Sequence, residues 1–235
     1  MNEGHPPPDE RDASRDGVAG GRELLLRMSR GFSCLFWSLP LLAAAHALAL
    51  MSVLPPRWMT GTLLASFLPL MCGLWMLRSC GEPTPRWRIR TDRSLLVALA
   101  GLYLCPFLVW WSGAPTTTYF AANAVAHYVV MVGLLAELNR MAGEGGRWME
   151  DVPLRRESKA GLGMVWWLSG CTAGALTWLY HRAGVLEAGA ATVLTQLAQL
   201  PGEARTLFLL PYAMTAYVMW RAKETGFRRA VREAG

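Results

Sequence analysis

The sequence predicts an all-α, polytopic membrane protein: a helical bundle of six transmembrane helices with both termini in the cytoplasm. Three observations support this fold class. The 235 residues are 53% hydrophobic and 17% charged, whereas soluble domains carry about 25% charged residues. The apolar residues form continuous blocks with the charges between them, whereas a soluble helix mixes both around its circumference. Lysine and arginine alternate between rich and poor segments, as the connections of membrane proteins do.

Six apolar blocks are long enough to span a bilayer. Each is close to the ~20 residues that a helix rising about 1.5 Å per residue needs to cross about 30 Å of hydrocarbon. Helices are expected because lipid offers no hydrogen-bonding partners to an open backbone. The blocks comprise residues 32–54, 60–79, 94–112, 117–138, 160–181 and 204–221. We therefore predict a six-helix transmembrane domain over residues 32–221.

The 23 lysine and arginine residues predict the orientation of these spans. From the N-terminal segment to the C-terminal segment, the seven polar segments carry 5, 1, 5, 0, 5, 2 and 5 of them. Positive charge stays on the cytoplasmic side because its translocation is disfavoured, so this alternation predicts cytoplasmic N and C termini. The net charge of +6 then follows from topology and from attraction to anionic lipid headgroups. We accordingly expect no nucleic-acid partner.

The polar segments and one uncharged stretch complete the domain organisation. Residues 1–31 are predicted as a cytoplasmic segment, disordered at first and then a short amphipathic lead-in. Residues 139–159 are predicted as a glycine-rich cytoplasmic connection, and residues 222–235 as a basic cytoplasmic tail. Residues 184–200 place apolar side chains on one helical face, and inserting them would move the basic tail outside. We therefore predict a short interfacial helix there, before the last span.

Prolines and a weak internal repeat suggest one possible architecture for the bundle. The prolines inside spans, where each removes a backbone hydrogen bond and kinks the helix, are Pro40, Pro69, Pro106 and Pro211. AAAHAL in the first span resembles AVAHYV in the fourth, and LYLCPF in the third resembles LFLLPY in the sixth. Two three-helix halves would be inverted relative to each other, as in many transporters. The alternative is a similarity of apolar composition alone.

Two histidines are the main ionisable residues inside the predicted spans. Counting about 1.5 Å per residue places His46 and His127 near the bilayer midplane, where a polar side chain is costly and becomes a candidate functional residue. We consider a shared ligand site that includes Asn123, one turn before His127, and the adjacent Tyr128. The alternatives are structural hydrogen bonds between helices and a b-type haem held by the two imidazoles.

The sequence contains no recognisable catalytic constellation. Its cysteines lack the paired spacing of a zinc site or a disulfide framework, and no hydrolase, protease or phosphate-loop motif occurs in a fitting context. Glu137, at the inner end of the fourth span, is expected to pair with Arg140 one turn further on. We therefore predict no catalytic residue, no metal and no cofactor, with haem b as the alternative.

Three classes of function fit this pattern. Short connections and apolar spans favour a non-catalytic membrane-embedded subunit or scaffold. The prolines and the repeat favour a small-solute transporter, and the two histidines favour a redox subunit. The expected partners are the lipid bilayer and other membrane subunits. The excess of 21 arginines over 2 lysines suggests a GC-rich bacterial genome, and hence a multi-pass protein of the bacterial cytoplasmic membrane.

Overall fold

The computed structural model describes residues 8–50, 55–81, 83–114, 117–183 and 210–232. Within these residues the chain is all-helical, which confirms the predicted fold class at that level. The six helices of the described part are α1 (Pro8–Leu50), α2 (Pro56–Arg78), α3 (Pro85–Gly113), α4 (Thr118–Trp148), α5 (Val152–Ala183) and α6 (Leu210–Arg232). Residues 184–200, where an interfacial helix is predicted, lie outside the described residues.

Four of these helices contain stretches long and apolar enough to cross a membrane. The stretches are Gly20–Ala49, Pro56–Arg78, Pro85–Trp111 and Thr118–Trp148. They coincide with the first four predicted spans and make the chain compatible with an integral membrane protein. The six-span count and the orientation stay predictions.

Prolines mark both the ends and the interiors of the helices. Pro56 and Pro85 are the first residues of α2 and α3, a position where the missing N–H costs no intrahelical bond. After α2 ends, Gly81 adopts a φ of 77°, which a residue without Cβ accepts readily. The predicted kink positions fall as follows: Pro40, Pro69 and Pro106 lie inside α1, α2 and α3, and Pro211 is the second residue of α6.

The helices pack as a closed ring in chain order. Helix α1 contacts α2 and α6, α3 contacts α2 and α4, and α5 contacts α4 and α6. Smaller sets of contacts also cross the ring, among them those between α1 and α3 and between α4 and α6. Helices α1 and α4 therefore lie on opposite sides of the ring. Exchanging α1–α3 with α4–α6 leaves this set of neighbours unchanged.

The interior of the ring is apolar and close-packed, and so is much of its outer surface. Leu39 and Phe67 are fully buried, whereas Trp37, Leu68 and Tyr103 are 62%, 68% and 72% exposed. Large apolar side chains that face outward on every side are costly in water. Around a bundle in lipid they meet hydrocarbon instead.

The helices continue well past the apolar blocks. Helix α4 ends at Trp148 and α5 begins at Val152, so most of residues 139–159, predicted as a connection, is helical. The glycines of this segment permit close packing: a Cβ at Gly145 would lie 3.6 Å from the Trp87 ring. Helices also cover residues 8–31 and 222–232, where we predicted a largely disordered segment and a tail.

Side chains of these extensions link the arginine-rich helix ends to one another. Ser29 Oγ donates to the Lys223 carbonyl at 3.0 Å, joining α1 to α6. Arg78 pairs with Asp92 at 2.6 Å, joining α2 to the start of α3. We call residues 20–31, 78–93, 139–159 and 221–232 together the basic layer. All four segments belong to one end of the bundle.

Candidate functional site

His46 of α1 and His127 of α4 meet at the centre of the ring. Their Nε2 atoms are 2.8 Å apart, and the two ring planes lie within 16° of parallel. His127 is only 2% exposed. Because α1 and α4 lie on opposite sides of the ring, this hydrogen bond spans the bundle interior.

The surrounding acceptors fix the proton positions in the neutral pair. His46 Nδ1 lies 2.6 Å from the Leu42 carbonyl oxygen, and a carbonyl only accepts, so Nδ1 carries the proton. Neutral His46 then offers a lone pair at Nε2, and His127 donates its Nε2–H to that lone pair. Nδ1 of His127 is then left as an acceptor.

This arrangement can take up one proton without losing the bond between the rings. A proton added at His127 Nδ1 leaves the Nε2–H of that ring directed at His46. The Gly101 backbone lies beside the same ring. A second proton would turn both Nε2 atoms into donors and break the hydrogen bond. At most one proton can therefore be added to the pair while the hydrogen bond between the two rings is kept.

Apolar side chains pack around Gly101, whose backbone lies beside the His127 ring. A Cβ at Gly101 of α3 would lie 3.3 Å from Phe67 Cε1 and 3.4 Å from Met131 Sδ. Met131 follows His127 by one turn of α4 and is buried. The absence of a side chain at Gly101 thus leaves space for Phe67 and Met131, a role that the sequence alone did not indicate.

The geometry does not fit a haem held by His46 and His127. A metal–imidazole bond is about 2.0–2.1 Å long, so two nitrogens on opposite faces of an iron stand about 4 Å apart. The Nε2 atoms here are 2.8 Å apart and hydrogen-bonded, which leaves no space for an iron or a macrocycle between the rings. The hypothesis of a redox subunit gains no support from this site.

Asn123 and Tyr128, predicted as partners of His127, are engaged elsewhere. Asn123 donates Nδ2–H to the Tyr119 carbonyl at 2.8 Å, within its own helix. The Tyr128 hydroxyl lies 2.9 Å from Thr172 Oγ1 on α5. Adjacent residues on a helix are rotated by about 100°, so Tyr128 faces α5 while His127 faces the centre. The structure thus brings together two of the four candidate residues.

A second polar cluster lies in the basic layer around Glu137. Its carboxylate accepts from Arg140 Nη1 at 2.6 Å, which confirms the predicted pair, and from Arg90 Nη1 of α3 at 3.3 Å. Glu137 is 8% exposed, and burial of a carboxylate requires such partners. The contact with Arg90 was not predicted, because a sequence pattern shows only partners on the same helix.

Asn139 connects three helices next to this cluster. Its Nδ2 donates to the Leu135 carbonyl and to Thr215 Oγ1 of α6, both at 2.8 Å. Its Oδ1 is packed against Gly161 of α5 at a place where any Cβ would collide. Asn139 therefore fixes the spacing of α4, α5 and α6.

Comparison of the chain with protein-family models, with curated proteins and with solved structures finds no match. The functional interpretation therefore depends on the geometry of this chain. That geometry comprises an apolar helix ring, a partly buried imidazole pair at its centre and a basic layer at one end.

Proposed function

We propose that the protein is a non-catalytic, membrane-embedded subunit or scaffold of the bacterial cytoplasmic membrane, with six spans and both termini in the cytoplasm. The filled interior is the observation that supports this function most. Residues such as Leu35, Leu70 and Leu134 are at most 1% exposed, and apolar side chains of several helices fill the ring. A bundle packed in this way holds its shape and presents an apolar outer surface to lipid and to other membrane subunits.

Contacts within the basic layer support the proposed orientation. Arg221 of α6 pairs with Glu157 of α5 at 3.1 Å, and Arg229 Nη1 donates to the Met149 carbonyl at 2.7 Å. Together with the contacts given above, they join four segments that each carry a high density of arginine. Positive charge gathered at one end of the spans favours that end as the cytoplasmic one.

Photo-crosslinking in cells tests the subunit proposal. A benzophenone amino acid is placed at one outward-facing position of each helix, and Phe67, which is fully buried, serves as the matched control beside Leu68. The six positions are Leu41, Leu68, Tyr103, Val129, Trp166 and Tyr217. We expect a protein adduct of one discrete mass from at least one outward position and none from Phe67. Adducts to lipid alone at all six positions would contradict the proposal.

A small-solute carrier is the second candidate, and two observations favour it. The helix ring is unchanged when its three-helix halves are exchanged, as expected of inverted repeats. His46 and His127 occupy equivalent places in the repeat AAAHAL/AVAHYV and form a hydrogen-bonded pair where the halves meet. A carrier that couples solute movement to protons needs such a group in its interior.

Proteoliposomes separate the two functions. The purified chain is reconstituted into vesicles that contain a pH-sensitive dye, and proton entry is measured under an imposed gradient with a panel of small solutes outside. For a subunit or scaffold we expect the rate of protein-free vesicles with every solute. Proton entry that requires a particular solute and is lost in His127→Ala would establish the carrier and overturn the first proposal.

A further inference from the structure

The basic layer contains a cleft between α3, α4 and α5. Its volume is about 200 Å³. Five of its lining residues are cations, and we call it the basic cleft after them: Arg90, Arg140, Arg147, Arg155 and Lys159. A concentration of five cations around one cleft is costly unless anions compensate it.

The acidic residues nearby compensate only part of this charge. Arg90 and Arg140 share Glu137, and Arg147 pairs with Glu144 at 3.0 Å. Among the residues that the structure describes, Arg155 and Lys159 form no ion pair. These two lie four residues apart on α5, and hence on the same face of that helix. The α5 wall of the cleft therefore carries uncompensated positive charge.

An apolar surface adjoins the positively charged wall of the basic cleft. Leu162 lines the cleft one turn after Ser158, and Trp166, one turn further along α5, is 56% exposed. Lys159 precedes Trp166 by about 10 Å at about 1.5 Å per residue. Exposed tryptophan favours the headgroup depth of a bilayer. In a membrane, the basic cleft would thus adjoin the phosphate groups of the lipids.

We propose that the basic cleft binds a phosphate group, presented either by an anionic lipid or by a free phosphate ion. A guanidinium group offers two parallel N–H donors that match two phosphate oxygens, and an ammonium group adds a compact charge. The phosphate is held between Arg155 and Lys159 on α5 and the arginines of α3 and α4. A lipid additionally places its acyl chains beside Leu162. Only the lipid source depends on the membrane residence proposed above.

Binding is measured with the full chain purified in a neutral detergent. Phosphatidylglycerol is titrated by native mass spectrometry, with phosphatidylcholine as the neutral lipid, and inorganic phosphate is titrated by calorimetry. The test variant is Arg155→Gln/Lys159→Gln. Arg156→Gln is the matched control, because Arg156 is exposed on the same helix and does not line the cleft.

We expect the double variant to weaken binding about 25-fold, because each of the two cations near an anionic headgroup contributes about a fivefold gain in affinity. Arg156→Gln should change it less than about twofold. Binding of phosphatidylglycerol but not of phosphatidylcholine identifies a lipid headgroup, and binding of phosphate alone identifies a soluble anion.

Two results would overturn the proposal. The first is that the native chain binds neither phosphatidylglycerol nor phosphate. The second is equal binding by the double variant and by Arg156→Gln. If the double variant elutes abnormally in size exclusion, Arg155→Gln alone is compared with Arg155→Lys, which keeps the charge and should retain most of the affinity. None of these outcomes depends on partner subunits or on proton flux, so the proposed function is tested separately.

Discussion

At the scale of single residues, the imidazole pair joins two helices that otherwise have few contacts. Hydrogen bonds between membrane helices stabilise a bundle by about 0.6–2 kcal/mol. A buried polar group deprived of its partner costs about 1–3 kcal/mol. The hydrogen bond between His46 and His127 therefore stabilises the bundle, whereas either imidazole without its partner would destabilise it.

We expect the losses in unfolding free energy of the two single histidine variants to add up to more than the loss of the double variant. His127→Leu leaves the Nε2 lone pair of His46 without a donor, so we expect a loss of about 1–3 kcal/mol in unfolding free energy. His46→Leu/His127→Leu removes both polar groups and should cost clearly less than the sum of the single variants. Unfolding in mild detergent with increasing denaturant measures all of them. Asn123→Leu, at a side chain bonded to its own helix, is the control. Additive losses would show that the two rings do not interact.

Part of this site was predictable from the sequence. Counting residues along the spans correctly placed His46 and His127 at one depth, because depth follows from the rise per residue. Which way each ring faces depends on the packing of six helices, and the sequence pattern carries no such information. Asn123 and Tyr128 are near His127 along the chain and were predicted as partners for that reason. The hydrogen bonds of α4 and α5 engage them instead.

Cys80 offers a test at the edge of the basic layer. The thiol is buried and donates to the Met76 carbonyl at 3.2 Å, and burial raises its pKa to about 11. The thiolate is the reactive form, so at pH 8 we expect alkylation by iodoacetamide about 100-fold slower in the folded chain than in the unfolded chain. Peptide mass spectrometry of the two states measures this ratio.

The raised pKa of Cys80 also predicts how the stability of the folded chain depends on pH. The folded chain holds the Cys80 thiol proton more tightly than the unfolded chain does. The protonated thiol therefore contributes to folding stability, and this contribution is complete below about pH 9 and is lost as the pH rises towards 11. Cys80→Ser, with an alcohol that does not titrate in this range, should lack that part of the decline. Equal alkylation of folded and unfolded protein would contradict the burial of Cys80.

At the scale of helices, α1 and α2 cross at two glycines. A Cβ at Gly73 would lie 2.9 Å from the Gly31 carbonyl oxygen and 3.0 Å from Cys34 Cβ. A Cβ at Gly31 would lie 2.7 Å from Leu77 Cγ. Small residues allow this close approach of membrane helices, where dispersion contacts replace the hydrophobic effect.

Gly73→Ala should separate α1 from α2. The obstacle is a backbone oxygen, which cannot rotate away, so we expect a loss of about 1–3 kcal/mol in unfolding free energy. Gly61→Ala on the same helix is the matched control, since a Cβ there meets nothing within 4 Å and alanine favours the helix by up to about 1 kcal/mol. Thermal unfolding in detergent compares the two. A loss in both variants, or in neither, would argue against this crossing.

The helices themselves were largely predictable, whereas their ends were not. Apolar blocks indicate where lipid surrounds a helix, and each described helix overlaps one of the six blocks. Hydropathy does not indicate where a helix continues into the headgroup region. The glycines of residues 139–159 are typical of a loop, but Gly145 packs against Trp87 and Gly146 against Arg155 within helices. Tertiary contacts of this kind override local propensity.

At the scale of the whole molecule, the ring of helices brings the arginine-rich segments together at one end of the bundle. Four arginine-rich segments meet in the basic layer, although they are separated along the chain by pairs of helices. The segment between α3 and α4, which carries no lysine or arginine, belongs to the opposite end. We expect a bundle of this kind to adopt one direction in a bilayer, because translocation of its basic end is disfavoured.

The orientation is therefore the claim that a single measurement tests most directly. Truncated fusions to a dual reporter, active as a phosphatase outside and fluorescent inside, are made after Gly113 at the end of α3 and after Gly143 near the end of α4. We predict phosphatase activity without fluorescence at Gly113 and fluorescence without phosphatase activity at Gly143. The same signal from both fusions would place the two ends of α4 on one side of the membrane and contradict the six-span account.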